Sequence, residues 1–388
     1  MVGLILKIIY LFLIKIVSLF CYFKKKKNVI YIMSFDNNLG LIKSMARSLP
    51  AGRRMIVFYE NDNEAAATDL AAYGVKTIQF RDGISLIFNV VPIIMTGSII
   101  FCDNYFAFLG GIIRSNNTKI VQMWHANGAI KKFGWEDPAT YERSSSDKKR
   151  FQNVYNHFDE YVVASATMGD VFQKSYHVSS DRMKMLGYPR SDRLFKQKWR
   201  DIAERRVYHF APQLKNKRVI LYAPTYRNDG NSFNPPKKVI SALTSDPNAI
   251  VIIKLHPLLN KLEKKLQKEA SSDNVLFFSQ LSTTDLLVIT DTLVTDYSSI
   301  AFDYSLLPNA HSMLFYMFDI DQYQKHPGIQ DNMLNWLPNK PIKTTEDLAK
   351  SIRENKKTDF TKFNRVWNKY NDGFATSRVI EKYIKSLK

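Results

Sequence analysis

The sequence predicts an α/β protein of two domains, each organised around a parallel β-sheet. From residue 28 onward, short apolar or β-branched segments alternate with helical ones, which is typical of parallel sheets covered by helices on both faces. The same alternation restarts near residue 218, after a charged helical stretch. The 388 residues are enough for two domains with substantial cores. We therefore expect a membrane-associating segment at 1–27 and α/β domains at 28–205 and 206–388.

The first 27 residues form a distinct amphipathic segment. Residues 2–23 are almost entirely apolar, and four lysines follow at 24–27. On a helix, the polar exceptions fall within roughly 80° of one another: Lys7, Lys15, Ser18 and Tyr22. A helix that spans a bilayer would bury Lys7 and Lys15 at about 2.5–3.5 kcal/mol each. The pattern therefore favours a helix lying in the membrane surface, with the lysine run on anionic headgroups. The alternative is a helix packed against the protein's own core.

The charge of the chain indicates anionic partners. The formal net charge is +19 and the pI is about 9.6. A charge of this sign predicts an anionic partner, which could be nucleic acid, a phosphate-rich substrate or an anionic membrane surface. A nucleic-acid-binding protein is disfavoured because the basic residues are spread along the chain and no nucleic-acid-binding motif occurs. The two cysteines, Cys21 and Cys102, offer neither a disulfide framework nor a metal cluster. No dinucleotide-binding or P-loop motif is present.

Six strands are predicted in the first domain, and a histidine follows one of them. The predicted strands are residues 29–33, 55–59, 75–80, 98–102, 119–123 and 161–165, and the predicted helices are 39–49, 65–73, 168–176 and 196–206. His125 follows the strand at 119–123, at the carboxyl end where α/β folds bind ligands. With Lys131 and Lys132 beside it, His125 fits a base that faces an anionic substrate. A lone histidine is also commonly structural. Residues 138–150 are polar and predict a mobile surface loop.

In the second half, polar or ionisable side chains follow three of the four predicted strands. Strands are predicted at 218–222, 250–255, 275–278 and 292–295, and the first, second and fourth carry such groups. These three are followed respectively by Thr225 and Arg227, by His256, and by Asp296, Ser298 and Ser299. The last group supplies helix N-cap residue types, and a helix N-terminus with adjacent hydroxyls favours phosphate. The pattern predicts an anion-binding crevice. Arg227 could pair with a phosphate or form a structural ion pair.

One further carboxylate pattern is present near the end of the second half. The segment Asp319-Ile320-Asp321 matches the D-x-D pattern that holds a divalent metal in one glycosyltransferase fold, but the pattern is short and common. We interpret it as a surface turn. No other Asp, Glu and His grouping has metal-ligand spacing, so no metal and no cofactor is expected.

The sequence resembles the CDP-glycerol glycerophosphotransferases of teichoic acid synthesis. The resemblance is carried by six segments in family order over roughly residues 120–380. They are Trp124-His125 with Lys131-Lys132-Phe133-Gly134, Gly187-Tyr188-Pro189-Arg190-Ser191-Asp192, Tyr222-Ala223-Pro224-Thr225-Tyr226-Arg227, Lys254-Leu255-His256-Pro257, Val294-Thr295-Asp296-Tyr297-Ser298-Ser299 with Phe302-Asp303, and Asp372-Gly373 with Ser377-Arg378. Together these segments are specific, whereas the first hundred residues contribute little to the match.

The resemblance implies a GT-B-like architecture of two Rossmann-like domains, with CDP-glycerol held by the C-terminal domain and the acceptor by the N-terminal one. His125 would then act as the general base and His256 would stabilise the departing CMP phosphate. Substrate-binding roles would fall to Thr225, Arg227, Asp296, Ser298, Ser299, Asn127, Lys131, Lys132 and Arg190. The partners implied are CDP-glycerol, an undecaprenyl-diphosphate-linked disaccharide, an anionic membrane surface on the cytoplasmic side and other enzymes of teichoic acid synthesis.

The sequence departs from the family pattern at two places. Many members read Trp-His-Gly-Thr-Pro-Leu-Lys-Lys at the first motif, where this chain has Ala126, Asn127 and Gly128 after the histidine. The family's downstream Arg-Gly pair is not evident, and Lys325-His326-Pro327-Gly328 occupies that neighbourhood. The first departure and the short chain favour an enzyme that adds the first glycerol phosphate over a polymerase. A nucleotide-sugar glycosyltransferase on the same fold remains an alternative.

Overall fold

The computed structural model describes residues 2–227, 234–256, 259–270 and 273–387, which form two compact units. The first unit comprises Met1–Ala126, Gly134–Asp192 and Tyr370–Lys388, and the second comprises Asn127–Phe133 and Arg193–Lys369. The predicted α/β class with two parallel sheets is confirmed. The predicted division at 205/206 falls inside a helix of the second unit, because the chain enters that unit at Arg193 and returns to the first at Tyr370.

The first unit contains a seven-stranded parallel sheet in the order β3-β2-β1-β4-β5-β6-β7. Its strands are β1 (Asn28–Met33), β2 (Arg54–Tyr59), β3 (Lys76–Gln79), β4 (Gly97–Cys102), β5 (Lys119–Gln122), β6 (Glu160–Val163) and β7 (Met183–Met185). The order reverses between β1 and β4, and α/β sheets bind ligands at the carboxyl ends of strands beside such a switch point.

The second unit repeats this arrangement with five parallel strands in the order β10-β9-β8-β11-β12. The strands are β8 (Arg218–Tyr222), β9 (Ala249–Ile253), β10 (Val275–Phe277), β11 (Thr292–Thr295) and β12 (Ser312–Phe315). Here the order reverses between β8 and β11. The strands are buried along nearly their whole length, as expected for a sheet covered on both faces.

The helices lie on both sheets and close the two cores. The helices of the first unit are α1 (Val2–Phe20), α2 (Leu39–Ser48), α3 (Glu64–Ala71), α4 (Val91–Ile94), α5 (Pro138–Glu142), α6 (Ser145–His157), α7 (Ala166–Tyr176) and, near the end of the chain, α17 (Ala375–Val379). The helices of the second unit are α8 (Gln197–Phe210), α9 (Val239–Leu243), α10 (Asn260–Glu269), α11 (Thr283–Leu287), α12 (Ile300–Tyr304), α13 (Ile320–Tyr323), α14 (Met333–Trp336), α15 (Thr345–Glu354) and α16 (Thr361–Trp367). Short 3-10 turns include Asp36–Asn38, Ala107–Gly111 and Pro189–Phe195, and a π-helical turn at Ile380–Ile384 follows α17.

The predicted loop at 138–150 is wrong, because this stretch forms α5 and the start of α6. The Asp137 carboxylate accepts a hydrogen bond from the Ala139 N–H at 3.0 Å, and the Ser144 hydroxyl accepts one from the Asp147 N–H at 3.1 Å. Both are side-chain N-caps, which satisfy backbone donors that a helix otherwise leaves unpaired. The Ser-x-x-Asp spacing at 144–147 is the sequence pattern that predicts the start of α6. The polar composition of the helix made it resemble a loop.

The amino-terminal helix α1 packs on the first unit by one side only. Ile14, Ser18 and Cys21 are buried, and the Ser18 hydroxyl accepts a hydrogen bond from the Ile113 N–H at 2.9 Å. A Cβ on Gly111 would lie 2.9 Å from the Leu11 carbonyl oxygen, so the helix approaches this backbone closely. Ser18, predicted to lie on the polar stripe, therefore faces the protein. Among the described residues, no helix combines the length and the apolar character that crossing a bilayer requires.

Candidate functional site

In the first unit, His125 lies beside the switch point between β1 and β4. Trp124 adopts a left-handed conformation with φ of 58° just after β5, and its N–H donates to the Gln122 side-chain oxygen at 2.9 Å. This turn places the His125 ring against Phe35, which follows β1, with ring centroids 4.5 Å apart, and against Trp124 at 4.2 Å. The predicted position of His125 at a strand's carboxyl end is thus the observed one.

The hydrogen bond of His125 sets its tautomer. The Nδ1 atom lies 3.3 Å from the backbone carbonyl oxygen of Asp103, the residue that follows β4. Because a carbonyl oxygen can only accept, Nδ1 carries the proton and Nε2 keeps a lone pair. Burial lowers the pKa of His125 from 6.5 to about 4, and the nearby Arg190 charge lowers it further, whereas the Asp103 hydrogen bond opposes the shift. The imidazole is therefore neutral near pH 7 and able to accept a proton at Nε2.

Three polar side chains hold the backbone around His125, and Asp103 among them is buried. The Asp103 carboxyl accepts from the N–H groups of Ser34 at 2.9 Å and Phe35 at 3.2 Å, and burial raises its pKa to about 8. The Arg190 guanidinium and the Asn37 amide both donate to the His125 carbonyl oxygen. Arg190, predicted to bind substrate, thus acts here on the main chain of the candidate base.

In the second unit, a buried ion cluster lies at the switch point between β8 and β11, where the sequence predicts an anion-binding crevice. The carboxylate of Asp296 accepts from the Thr225 N–H at 2.8 Å and from the Arg227 guanidinium at 2.8 Å. Arg227 also donates to Asp319 at 2.9 Å, and the Tyr297 hydroxyl donates to the same carboxylate at 3.1 Å. Thr225, Arg227 and Asp296 are brought together as predicted. The guanidinium is buried between two carboxylates, which favours the structural ion pair over direct phosphate binding.

Two aromatic rings cover this ion cluster. Tyr297 and Tyr323 stack with centroids 3.6 Å apart, and the Arg227 guanidinium lies 5.0 Å and 4.7 Å from their centroids. The cation is thus held by carboxylates and aromatic faces together, and the pKa of Arg227 is raised: burial opposes the charge, but Asp296 and Asp319 outweigh it. Asp319 belongs to the D-x-D segment. Asp319 lies in the turn before α13 with 19% of its side chain exposed, whereas Asp321 lies on α13 with 87% exposed.

The segment Asn127–Phe133 belongs to the second unit and carries Lys131 to this cluster. Lys131 forms an antiparallel bridge with Ile329, and the Gln330 N–H donates to the Ile130 carbonyl at 2.8 Å. The Lys132 ammonium pairs with Asp331 at 3.0 Å. Burial lowers the pKa of Lys131, Asp296 acts in the opposite direction and Arg227 adds to the lowering. The two lysines were assigned to the N-terminal domain by sequence, but both belong to the second unit, where Lys131 lies near Asp296 and Arg227 and Lys132 lies beside Asp331.

The remaining predicted residues follow β9 or β11, or pack against α12. His256 is exposed, three residues beyond β9, and its ring lies 5.3 Å from that of Tyr226. Ser298 accepts from the Ile300 N–H at 3.4 Å, and Ser299 is the N-cap residue of α12 without a side-chain cap bond. Asn127 is buried and donates to Asp303, on α12. Asn127 is therefore a packing residue of the second unit in this structure.

Comparison with known proteins identifies the family. The model of the CDP-Glycerol:Poly(glycerophosphate) glycerophosphotransferase family matches residues 14–385. The chain belongs to this family. It is 29% identical over 384 residues to the teichoic acid glycerol-phosphate primase of Bacillus subtilis, with 97% of each chain covered. It is 26% identical to the teichoic acid poly(ribitol-phosphate) polymerase of Bacillus spizizenii, over 92% of this chain and 58% of that protein.

The fold of this glycerophosphotransferase family member is also that of a solved relative. A variant of the wall teichoic acid polymerase TagF superposes with a TM-score of 0.70 and 18% identity, over 93% of this chain and 89% of that chain. The GT-B-like fold predicted from the resemblance is thereby confirmed. The chain is an enzyme of the CDP-glycerol glycerophosphotransferase family.

Sequence reasoning missed several residues of these two sites. Phe35 and Asp103 follow β1 and β4, as His125 follows β5, so their positions at carboxyl strand ends were the available signal. Asp319 and Tyr323 follow β12 and could have been found in the same way. Within the described residues, no group of three or more His, Cys, Asp or Glu side chains is arranged to hold a metal ion.

Proposed function

We propose that this enzyme transfers one glycerol phosphate from CDP-glycerol to a lipid-linked disaccharide and releases CMP. The proposed acceptor is N-acetylmannosaminyl-N-acetylglucosaminyl-diphospho-undecaprenol, in wall teichoic acid synthesis. The observation that carries the choice of a single addition is the similarity to a glycerol-phosphate primase over 97% of both chains. Poly(glycerol phosphate) polymerisation is the second candidate, favoured by the similarity to a polymerase and by the TagF fold.

The proposed reaction is a direct displacement at phosphorus. An acceptor hydroxyl oxygen forms a bond to the phosphorus that bears glycerol, and the bond from that phosphorus to the CMP oxygen breaks with its electron pair. The hydroxyl proton passes to Nε2 of His125, which the Asp103 carbonyl keeps in the required tautomer. Because phosphoryl transfer depends mainly on positioning and charge stabilisation, a neutral base with a low pKa suffices to take the proton late in the reaction.

The second unit would hold the donor. Lys131, Lys132, His256, Ser298 and Ser299 are the side chains proposed to contact the CDP-glycerol phosphates. The support is that His256 follows β9 and that Ser298 and Ser299 follow β11, beside the switch point of that sheet. Lys131 interacts electrostatically with Asp296 at the same switch point, and Lys132 is its neighbour in the chain. Thr225, Asp296 and Arg227 would position this surface through their mutual hydrogen bonds. His256, exposed at the end of β9, would stabilise the charge on the departing CMP.

The enzyme is proposed to work on the cytoplasmic face of the cell membrane, where α1 attaches it to the surface. The support is that α1 buries one side on the first unit and exposes a second apolar side, including Ile5, Phe12 and Phe20. The lysines at 24–27 follow this helix and suit anionic headgroups. Contacts with other teichoic acid synthesis enzymes are a further expectation.

Product analysis tests the proposed reaction. The enzyme would be incubated with excess CDP-glycerol and a synthetic lipid-linked disaccharide, and the product mass measured. A single added glycerol phosphate with release of CMP supports the proposal, whereas a ladder of additions selects the polymerase. Parallel incubation with nucleotide sugars tests the glycosyltransferase alternative: sugar transfer without glycerol phosphate transfer would overturn the proposal.

A further inference from the structure

A basic groove lies in the first unit, away from the candidate base. It has a volume of about 1410 Å³ and is lined by residues from the end of the amino-terminal segment, from the starts of β4 and β5, and from the carboxyl-terminal segment. Its cations are Lys24–Lys26, Arg53, Arg114, Lys119 and Lys382, and Asp159 is the one carboxylate among its lining residues. That carboxylate is paired with Arg114, and the neighbouring Glu160 pairs with Lys119 at 2.9 Å and with Lys382 at 3.7 Å. The excess positive charge of the groove therefore comes from Lys24–Lys26 and Arg53.

The position of the groove separates it from the reaction. It is bordered by Ser98 and Ile99 at the amino end of β4, whereas Asp103, which holds His125, follows the carboxyl end of the same strand. Six residues of extended strand span about 20 Å. A molecule in the groove is thus at the opposite edge of the sheet from Nε2 of His125, and the groove is not part of the proposed acceptor or donor site.

The uncharged lining is rich in hydrogen-bonding groups. Between β4 and β5 the segment 115–118 contributes Ser115, Asn116, Asn117 and Thr118, and Ser98 lies next to it. The Arg53 guanidinium donates to the Ser98 hydroxyl at 3.2 Å, which fixes this cation at the groove wall. Guanidinium and ammonium groups suit a phosphate, and amides and hydroxyls suit a polyol.

The groove is continuous along the chain with an exposed apolar surface. Tyr22 and Phe23 line it directly after α1, and 91% of Phe23 is exposed. On α1, the exposed positions Ile5, Ile9, Phe12 and Leu19 lie on the side of the helix opposite to the buried Ile14 and Ser18. An apolar surface followed by a cationic groove matches the order of acyl chains and phosphate in a phospholipid.

We propose that this groove binds the headgroup of an anionic phospholipid whose headgroup is an uncharged polyol, as in phosphatidylglycerol, a site that rests on the proposed membrane association. The acyl chains lie along the exposed side of α1, the phosphate lies among the groove cations, and the polyol contacts the amides and hydroxyls of segment 115–118. Headgroups that carry an ammonium and no second anion, such as ethanolamine, are disfavoured because the excess cations of the groove repel the ammonium.

The chain offers a matched control for testing this site. Lys25 and Arg53 line the groove, whereas the exposed Lys27 and Arg54 lie one or two positions further along the chain and do not. We would compare Lys25→Gln/Arg53→Gln with Lys27→Gln/Arg54→Gln, which lose the same charge. The probe is dihexanoyl-phosphatidylglycerol below its micelle concentration, titrated by calorimetry against the full chain. Thermal unfolding of both variants checks the fold, and Arg53→Lys serves as a variant that keeps the charge.

If the groove binds the headgroup, one lipid should bind saturably to the unmodified protein. The affinity should fall about 30-fold in Lys25→Gln/Arg53→Gln and less than about threefold in the control variant Lys27→Gln/Arg54→Gln. Dihexanoyl-phosphatidylethanolamine and glycerol 1-phosphate should each bind at least about tenfold more weakly. Equal losses in the two double variants, equal binding of the ethanolamine lipid, or equal binding of free glycerol 1-phosphate would each overturn the proposal. Transfer by the unmodified protein to a water-soluble acceptor analogue tests the reaction independently, so failure of one proposal is distinguishable from failure of the other.

Discussion

Burial shifts the pKa of titratable side chains in the first unit, and His125 is the clearest case. Its ring is held between Phe35 and Trp124 while its Nδ1 donates to the Asp103 carbonyl. Loss of water around the ring disfavours the imidazolium, so the pKa falls to about 4. The neutral form that a base requires is then present over the whole range in which an ordinary histidine titrates.

This environment predicts the pH dependence of transfer. The rate should rise with pH up to about 5 and show no inflection near 6.5, because His125 is already deprotonated above its pKa of about 4. His125→Ala should lower the rate by about 10²–10⁴-fold while CDP-glycerol binding is retained. The measurement is the pH profile of kcat/KM together with donor titration. An inflection near pH 6.5 that vanishes in His125→Ala would contradict the lowered pKa.

A second residue-scale prediction concerns the two carboxylates of the D-x-D segment. Asp319→Asn removes the charge that pairs with the buried Arg227 and should lower the free energy of unfolding by about 1–3 kcal/mol. Asp321→Asn is the matched control: its side chain is exposed, so a change within about 0.5 kcal/mol is expected. Chemical denaturation of both variants measures the difference. Equal effects would show that the ion cluster does not stabilise the second unit.

At the scale of elements, α1 has one buried side and one exposed apolar side. The side with Ile14 and Ser18 is buried on the first unit, and the opposite side is exposed. A helix that is apolar nearly all round suits a protein surface on one side and a membrane on the other. The amino-terminal helix is therefore both a part of the first unit and the proposed attachment to the membrane.

Substitution on the exposed side of α1 should separate these two roles. Phe20 is 84% exposed, so Phe20→Ser should weaken binding to anionic vesicles without lowering the melting temperature. Phe374, exposed elsewhere on the first unit at 65%, gives the control Phe374→Ser, for which no change in vesicle binding is expected. Vesicle sedimentation and thermal unfolding measure the two effects. Unchanged sedimentation of Phe20→Ser would argue against membrane contact through this side.

The segment Asn127–Phe133 gives a second prediction at this scale. A Cβ at Gly128 would lie 2.6 Å from the ring of Phe302, so Gly128→Ala should cost about 1–3 kcal/mol of stability through overpacking. Gly40→Ala on α2, where no heavy atom lies within 4 Å, should be neutral or stabilising. In a double-mutant cycle, Phe302→Leu should relieve part of the Gly128→Ala cost. Additive effects would contradict the close approach.

At the scale of the whole molecule, neither unit is a continuous stretch of chain. Residues Tyr370–Lys388 return to the first unit, where Val379, Tyr383 and Ile384 join the core that contains Val29 and Tyr31. The Asp192 carboxylate accepts from the N–H groups of Ala375 at 3.0 Å and Thr376 at 2.7 Å, and Tyr383 donates to Glu160 at 2.6 Å. The last segment of chain thus completes the unit that contains His125.

A chain that ends at Lys369 should therefore lose stability in the first unit and not in the second. The expected result is faster amide hydrogen exchange in β1, β4 and β6, which lie under the missing helix, with exchange in β8 and β11 unchanged. The physical reason is loss of the buried side chains of Val379, Tyr383 and Ile384 from that core. Hydrogen exchange followed by mass spectrometry measures both regions in one sample. Destabilisation confined to β8 and β11 would contradict this assignment.

The α/β class, the strand segments and the carboxyl-end positions of His125, Asp296 and Ser298 could be predicted from the amino-acid sequence. These features are local: the alternation of apolar segments and the residue types that follow each strand are readable along the chain. Three features became visible only in the folded chain: Lys131 lies near Asp296, Asp319 completes the ion cluster, and Tyr370–Lys388 belongs to the first unit. Such contacts join residues far apart in sequence, so no local pattern predicts them. The burial that shifts the pKa of His125 likewise arises from several strands together, and the residues around His125 in the sequence do not predict it.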